Sequence, residues 1–60
     1  MDYKEVVEAM RRDWRVRKLS EWARMFDMKE HELGRICKDR DGKELQSHSG
    51  DKWGYKGVKP

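Results

Sequence analysis

Leu19 to Lys38 reads LSEWARMFDMKEHELGRICK, and this stretch decides how the chain folds. Leu19, Trp22, Ala23 and Phe26 recur at spacings of three, one and three, which lie along one face of a helix. Leu33, Ile36 and Cys37 share a face of the helix that follows. Asp27 stands between them and stops or turns the chain. Aspartate tolerates the left-handed backbone conformation better than most residues, so a tight turn is feasible there. Ala23 is small enough to let the second of these helices come close. Trp22, Phe26, Met28, Leu33 and Ile36 can fill the angle between the two. Ser20 is expected to cap the first, its hydroxyl accepting a backbone N–H. The other should run from about Lys29 to Asp39 or Arg40, with Asp27 and Glu30 in a loose capping-box spacing.

Upstream, Tyr3, Val6, Val7, Met10 and Trp14 form an apolar face that predicts a helix over residues 2–14. Asp2 suits its positive N-terminal end, and Arg11, Arg12 and Arg15 suit the other. Residues 15–18 are too few for a helix and predict a short extended segment or a turn. Downstream of Asp41-Gly42 the helical period disappears and glycines stand at 42, 50, 54 and 57. Residues 43–47 predict a strand with Leu45 facing inward, and residues 52–58 a second with Trp53 and Tyr55 on one face. His48 to Asp51 forms the tip between them. Gly54 and Gly57 argue against a regular second strand, because glycine there marks a bulge or a close backbone approach. The expected architecture is mostly α with a small β-hairpin: three helices followed by two strands, in one domain over residues 1–60.

The chain has 60 residues, with 15 Lys and Arg against 12 Asp and Glu, for a net charge of +3. Its longest uncharged run, Leu45 to Gly50, is polar, which excludes a membrane-spanning helix. No secretory leader pattern is present, and an intracellular, cytoplasmic setting is the expectation. Cys37 is the only cysteine, so no internal disulfide can form. His31 and Cys37 are six residues apart and point to different helix faces, and with His48 they make no metal site. No glycine-rich phosphate loop, nucleophile elbow or paired carboxylates stand out. So small a chain has little room for a catalytic cleft. A binding module with no cofactor is expected before an enzyme.

Charge is unevenly spread. Residues 11–18 and residues 42–60 are both net basic, while residues 20–41 are nearly neutral. That layout suits a polyanion contacted from the sides.

Leu19 to Lys38 resembles the helix-turn-helix motif: Ala23 holds the small position, and Trp22, Phe26, Met28, Leu33 and Ile36 hold the apolar ones. Asp27 departs from the pattern, standing where glycine is usual. With a short strand before and a hairpin after, nearly the whole chain resembles the winged helix-turn-helix family, in the small regulators of phages and mobile elements. The resemblance implies double-stranded DNA as partner, a third helix entering the major groove, and a wing over residues 43–58. It implies a transcriptional regulator or an excisionase-like architectural factor, working with a second copy or a larger protein partner. On that reading Arg35 reads a guanine and Lys29, His31 and Lys38 contact phosphate or base. Arg12, Arg15, Arg17 and Lys18 supply basic contacts, of which two or three reach phosphate, and Ser49, Lys52 and Lys56 act from the wing. Glu30 and Glu32 oppose a phosphate backbone. They favour the alternative, a protein-binding inhibitor with the same fold that presents Trp53 and Tyr55 as anchors. RNA binding is weaker, for want of a stacking platform. Trp14 and Trp22 are expected in the core, and Trp53 is expected to lock the wing onto the third helix.

Overall fold

A computed structural model describes Met1 to Pro60. Helix α1 spans Tyr3–Asp13 and opens at Asp2, whose carboxylate accepts from the Glu5 N–H at 3.0 Å. It ends at Trp14, which takes the left-handed conformation at φ 54° and donates its N–H to the Met10 carbonyl. That turn removes Trp14 from the helical period. Its ring is 53% exposed and tilts against Tyr55 with centroids 5.8 Å apart, so the expected core position for Trp14 is corrected.

Strand β1, Arg17–Lys18, runs directly into helix α2, Leu19–Phe26. The expected cap at Ser20 does not form. Ser20 lies within the helix, Lys18 is the N-cap residue, and the Glu21 carboxylate accepts from the Lys18 N–H at 3.4 Å. The Leu19 N–H, free of any helical partner, donates to the Asp51 carbonyl at 2.7 Å. Pairing with the hairpin therefore fixes where α2 begins. It closes at Asp27 in the left-handed conformation, φ 54° and ψ 48°, and the Met28 N–H returns to the Ala23 carbonyl. Helix α3, Glu30–Arg40, follows from Lys29 without a side-chain cap, so the Asp27–Glu30 box is absent.

Strands β2, Leu45–His48, and β3, Lys52–Tyr55, make the hairpin. The sheet has three antiparallel strands in the order β1-β3-β2: the short segment before α2 pairs with the expected two-stranded hairpin and places β3 at the centre. Gly54 permits this. A Cβ there would lie 3.1 Å from Val16 Cγ2 and 3.2 Å from the Arg15 carbonyl oxygen, tighter than most Cβ contacts, so glycine lets the chain before β1 come this close without displacing its neighbours.

Val6, Met10, Trp22, Ala23, Leu33, Cys37, Leu45 and Trp53 form one buried cluster joining all three helices to the sheet. Trp22, fully buried, is its largest member. Its indole N–H donates to the Trp53 carbonyl at 2.8 Å and its ring stacks on Phe26. Trp-to-Ala changes in cores cost about 3–5 kcal/mol. A chain of this length has about 3–9 kcal/mol in total, so Trp22 accounts for a large share of its stability. Burial pushes the Cys37 thiol up to about 12, which leaves it an inert core residue. No helix is long and apolar enough to cross a membrane.

Candidate nucleic-acid interface

The sheet register sorts the hairpin side chains onto two faces. Leu45 and Ser47 pair with Tyr55 and Trp53, and buried Leu45 and Trp53 turn this face toward the helices. The opposite face carries a row in which Lys18 pairs with Lys52 and Lys52 with His48. Paired side chains in adjacent strands stand about 4.5–5.5 Å apart, so two lysines and a histidine line up across the three strands. Lys18 and Lys52 are exposed. His48 is partly covered, and its Nε2 is shut off from solvent without a hydrogen-bond partner.

On the helix-facing side a groove of about 510 Å³ opens between α3 and the end of the hairpin. His31, Arg35 and Lys38 line it from α3, at spacings of four and three that keep them on one face. Ser47, Gly50 and Asp51 line it from the hairpin, with Leu19 and Trp53 beneath. Gly34 stands between His31 and Arg35 and leaves the groove wall bare at that point. Glu30 and Asp51 bring acidic groups to the same groove.

The cations differ in what they already hold. Arg17 grips Asp13 through two nitrogens, the shorter contact at 2.7 Å, and its guanidinium lies 5.6 Å from the centre of the Trp22 ring. Arg11 and Arg12 share Glu8. The hydrogen bond from Arg11 leads the shift that brings the Glu8 carboxyl down to about 2, and the one from Arg17 holds Asp13 below its ordinary value. Arg40 bridges to Glu44 at 2.8 Å and covers the Tyr3 ring. By contrast Arg15, Lys18, Lys29, Arg35, Lys38 and Lys52 form no ion pair.

The structure therefore divides the residues expected to touch a nucleic acid. His31, Arg35 and Lys38 come together in the groove, and Lys18 and Lys52 come together on the outer face of the sheet. Lys29 stands at the start of α3 and Ser49 in the exposed tip. Arg12 lies along a different groove, and Lys56 donates its ammonium to the Gly42 carbonyl at the hairpin base. Leu19, Ser47, Asp51 and His48 were not expected in these arrangements. Their signal is the pairing of Leu19 with Asp51 and of His48 with Lys52, which depends on strand register. No protein-family model matches the chain, and no curated protein and no solved structure matches it either.

Proposed function

We propose that the chain binds double-stranded DNA as a winged helix-turn-helix module. In this reading α3 enters the major groove and the β2–β3 hairpin serves as the wing. The observation that carries the reading is the set His31, Arg35 and Lys38, gathered on one helix face beside the hairpin with no carboxylate paired to Arg35 or Lys38. Arg35 presents a planar fork suited to the two acceptors of a guanine edge. Lys38 and Lys29 reach phosphates on either side of that contact. The tip, Ser49 and Gly50, offers backbone N–H groups to a phosphate, and Lys18 and Lys52 add positive charge from the outer row. The chain acts by binding and carries out no reaction. It serves as a small transcriptional regulator or an excisionase-like architectural factor, on intracellular DNA.

Fluorescence anisotropy on a random-sequence duplex, followed by selection of the bound sequences, tests the reading. The logarithm of the affinity is expected to fall linearly with log salt, at a slope set by about two to four phosphate contacts. Lys52→Glu is expected to weaken binding at low salt while leaving the fold intact. A flat salt dependence would sink the proposal. Full affinity in a folded Lys52→Glu protein would remove the hairpin from it.

A second reading rests on Glu30 and Asp51, which line the same groove as Arg35 and repel phosphate. They fit a protein surface of mixed charge, and the chain would then be an inhibitor that blocks another protein complex. Its aromatic anchors are limited, because Trp53 is only 9% exposed and Tyr55 is half-buried.

A further inference from the structure

A second groove, of about 780 Å³, runs between α1 and the end of α2. Its α1 wall carries Lys4 and Glu5 near one end and Arg12 and Asp13 near the other, with Glu8 and Ala9 midway. Met25 and Phe26 of α2 form the facing wall. Met25 is 51% exposed, one of the few large apolar side chains left open to solvent. Methionine is flexible and polarizable, and adapts readily to a docked surface.

The order of charges along α1 selects an occupant. A copy laid parallel would set Glu5 against Glu5 and Arg12 against Arg12. A copy laid antiparallel about a two-fold axis between Glu8 and Ala9 reverses the sequence. Glu5 then faces Arg12 of the second copy, and the contact repeats on the other side of the axis, while Lys4 and Asp13, nine residues apart and so on opposite edges of the helix, take no part, Asp13 being held by Arg17. Ala9 sits near the crossing, where its small side chain lets two helices approach. Glu8, also near the axis, stays paired with Arg11 of its own helix, while Arg12, 77% exposed and on the longer contact at 3.2 Å, gives up Glu8 to turn to Glu5 of the second copy. Opposite charges therefore meet on both sides of the axis, which is the self-complementarity an isologous interface requires.

We propose that this face docks a second copy of the chain, α1 antiparallel to α1, with Met25 and Phe26 closing over the flanks. The inference does not depend on the DNA reading, since none of the α3 residues takes part. A standard interface covers about 800 Å² per partner. The whole chain exposes 4256 Å². One helix face and part of a second make a small patch, and association is expected only at protein concentrations on the order of 100 µM.

Sedimentation equilibrium from about 10 µM to 1 mM tests it, with circular dichroism to confirm that each variant is folded. The wild type is expected to move from monomer to dimer across that range. Glu5→Arg and Arg12→Glu are each expected to stay monomeric alone, because each sets like charges against one another. An equal mixture of the two is expected to restore the dimer, since Arg at position 5 of one chain then meets Glu at position 12 of the other. A wild type that remains monomeric at every concentration overturns the proposal. So does a single variant that dimerises like wild type, or a mixture that stays monomeric.

Discussion

The basic segment at the end of α1 and the outward face of α3 both supply cations, and they differ in what those cations already hold. Residues 11–18 hold the densest positive charge in the chain, yet Arg11, Arg12 and Arg17 spend theirs on Glu8 and Asp13. The α3 face has fewer cations, and Arg35 and Lys38 keep theirs free. Charge density along a chain therefore differs from charge available to a partner. A guanidinium already bonded to a carboxylate has to break that contact before it can serve a phosphate. In the first region only Arg15 and Lys18 stand unpaired.

The largest effect should come from exchanging the roles of two arginines. Arg35→Ala is expected to weaken DNA binding by about 1–3 kcal/mol and to relax preference at one base position. Its thermal midpoint should hold, because Arg35 is exposed and packs on nothing in the core. Arg17→Ala is expected to do the reverse. It removes the grip on Asp13 and the cover over Trp22, and the midpoint should fall by about 4 °C. The salt slope of binding should stay that of wild type. Anisotropy titrations and thermal melts on the two variants check both halves. If Arg17→Ala lowers the salt slope by about one unit, the two regions are not distinct in the way described.

That contrast was only partly legible in the sequence. Apolar spacing alone located Val6, Met10, Trp22, Leu33 and Cys37 in the core, because a helix repeats its buried face every three or four residues. Asp27 was readable as the turn for the same reason: an interrupted period beside a residue that tolerates the left-handed conformation. Trp14 was misread because the period continued on paper after the backbone had left the helix. Ser20 was misread because a hydrogen bond from Leu19 to Asp51, thirty-two residues away in sequence, sets the start of α2. The Glu8–Arg12 pair has the i,i+4 spacing that helices favour and was open to inference. The Asp13–Arg17 pair spans the left-handed turn at Trp14, so no helical rule gives it. The third strand and the Lys18–Lys52–His48 row depend on register, which two residues of β1 do not specify.

A smaller effect tests whether the α3 face is shaped for close approach. Gly34 lies inside a helix, where glycine costs about 0.5–1 kcal/mol relative to alanine. Nothing in the fold requires it, since a Cβ there would meet only Leu19 Cδ2, at 3.5 Å, an ordinary contact. Gly54 is the opposite case, where a Cβ would crowd Val16 and the Arg15 carbonyl at 3.1 and 3.2 Å. Gly34→Ala is therefore expected to raise stability by about 0.5–1 kcal/mol in urea unfolding. The added methyl narrows the groove between His31 and Arg35, so DNA affinity should fall in the same variant. A gain in stability with unchanged affinity would mean that no partner approaches the helix at this point.

The smallest effect is a pH dependence that belongs to the first region alone. Glu8 titrates near 2 and Asp13 below its ordinary value, each chiefly because an arginine hydrogen-bonds its ionised form. Both shifts are downward, so both carboxylates lose more than they gain when protonated in the folded state. The stability they contribute is complete above the unfolded values, near 4.5 for Glu8 and 3.8 for Asp13, and is lost as pH falls toward the folded ones. Glu44 adds a third contribution of the same sign through Arg40. All three pairs lie near the surface, so the change should be modest and should shrink in high salt. Urea midpoints between pH 5 and pH 2 measure it. Glu8→Gln removes one carboxylate from the set and should flatten the acid limb, whereas Arg35→Ala should leave that limb as it is. An acid limb that Arg35→Ala flattens as much as Glu8→Gln would mean that Arg35 is paired with a carboxylate and is not free to meet DNA.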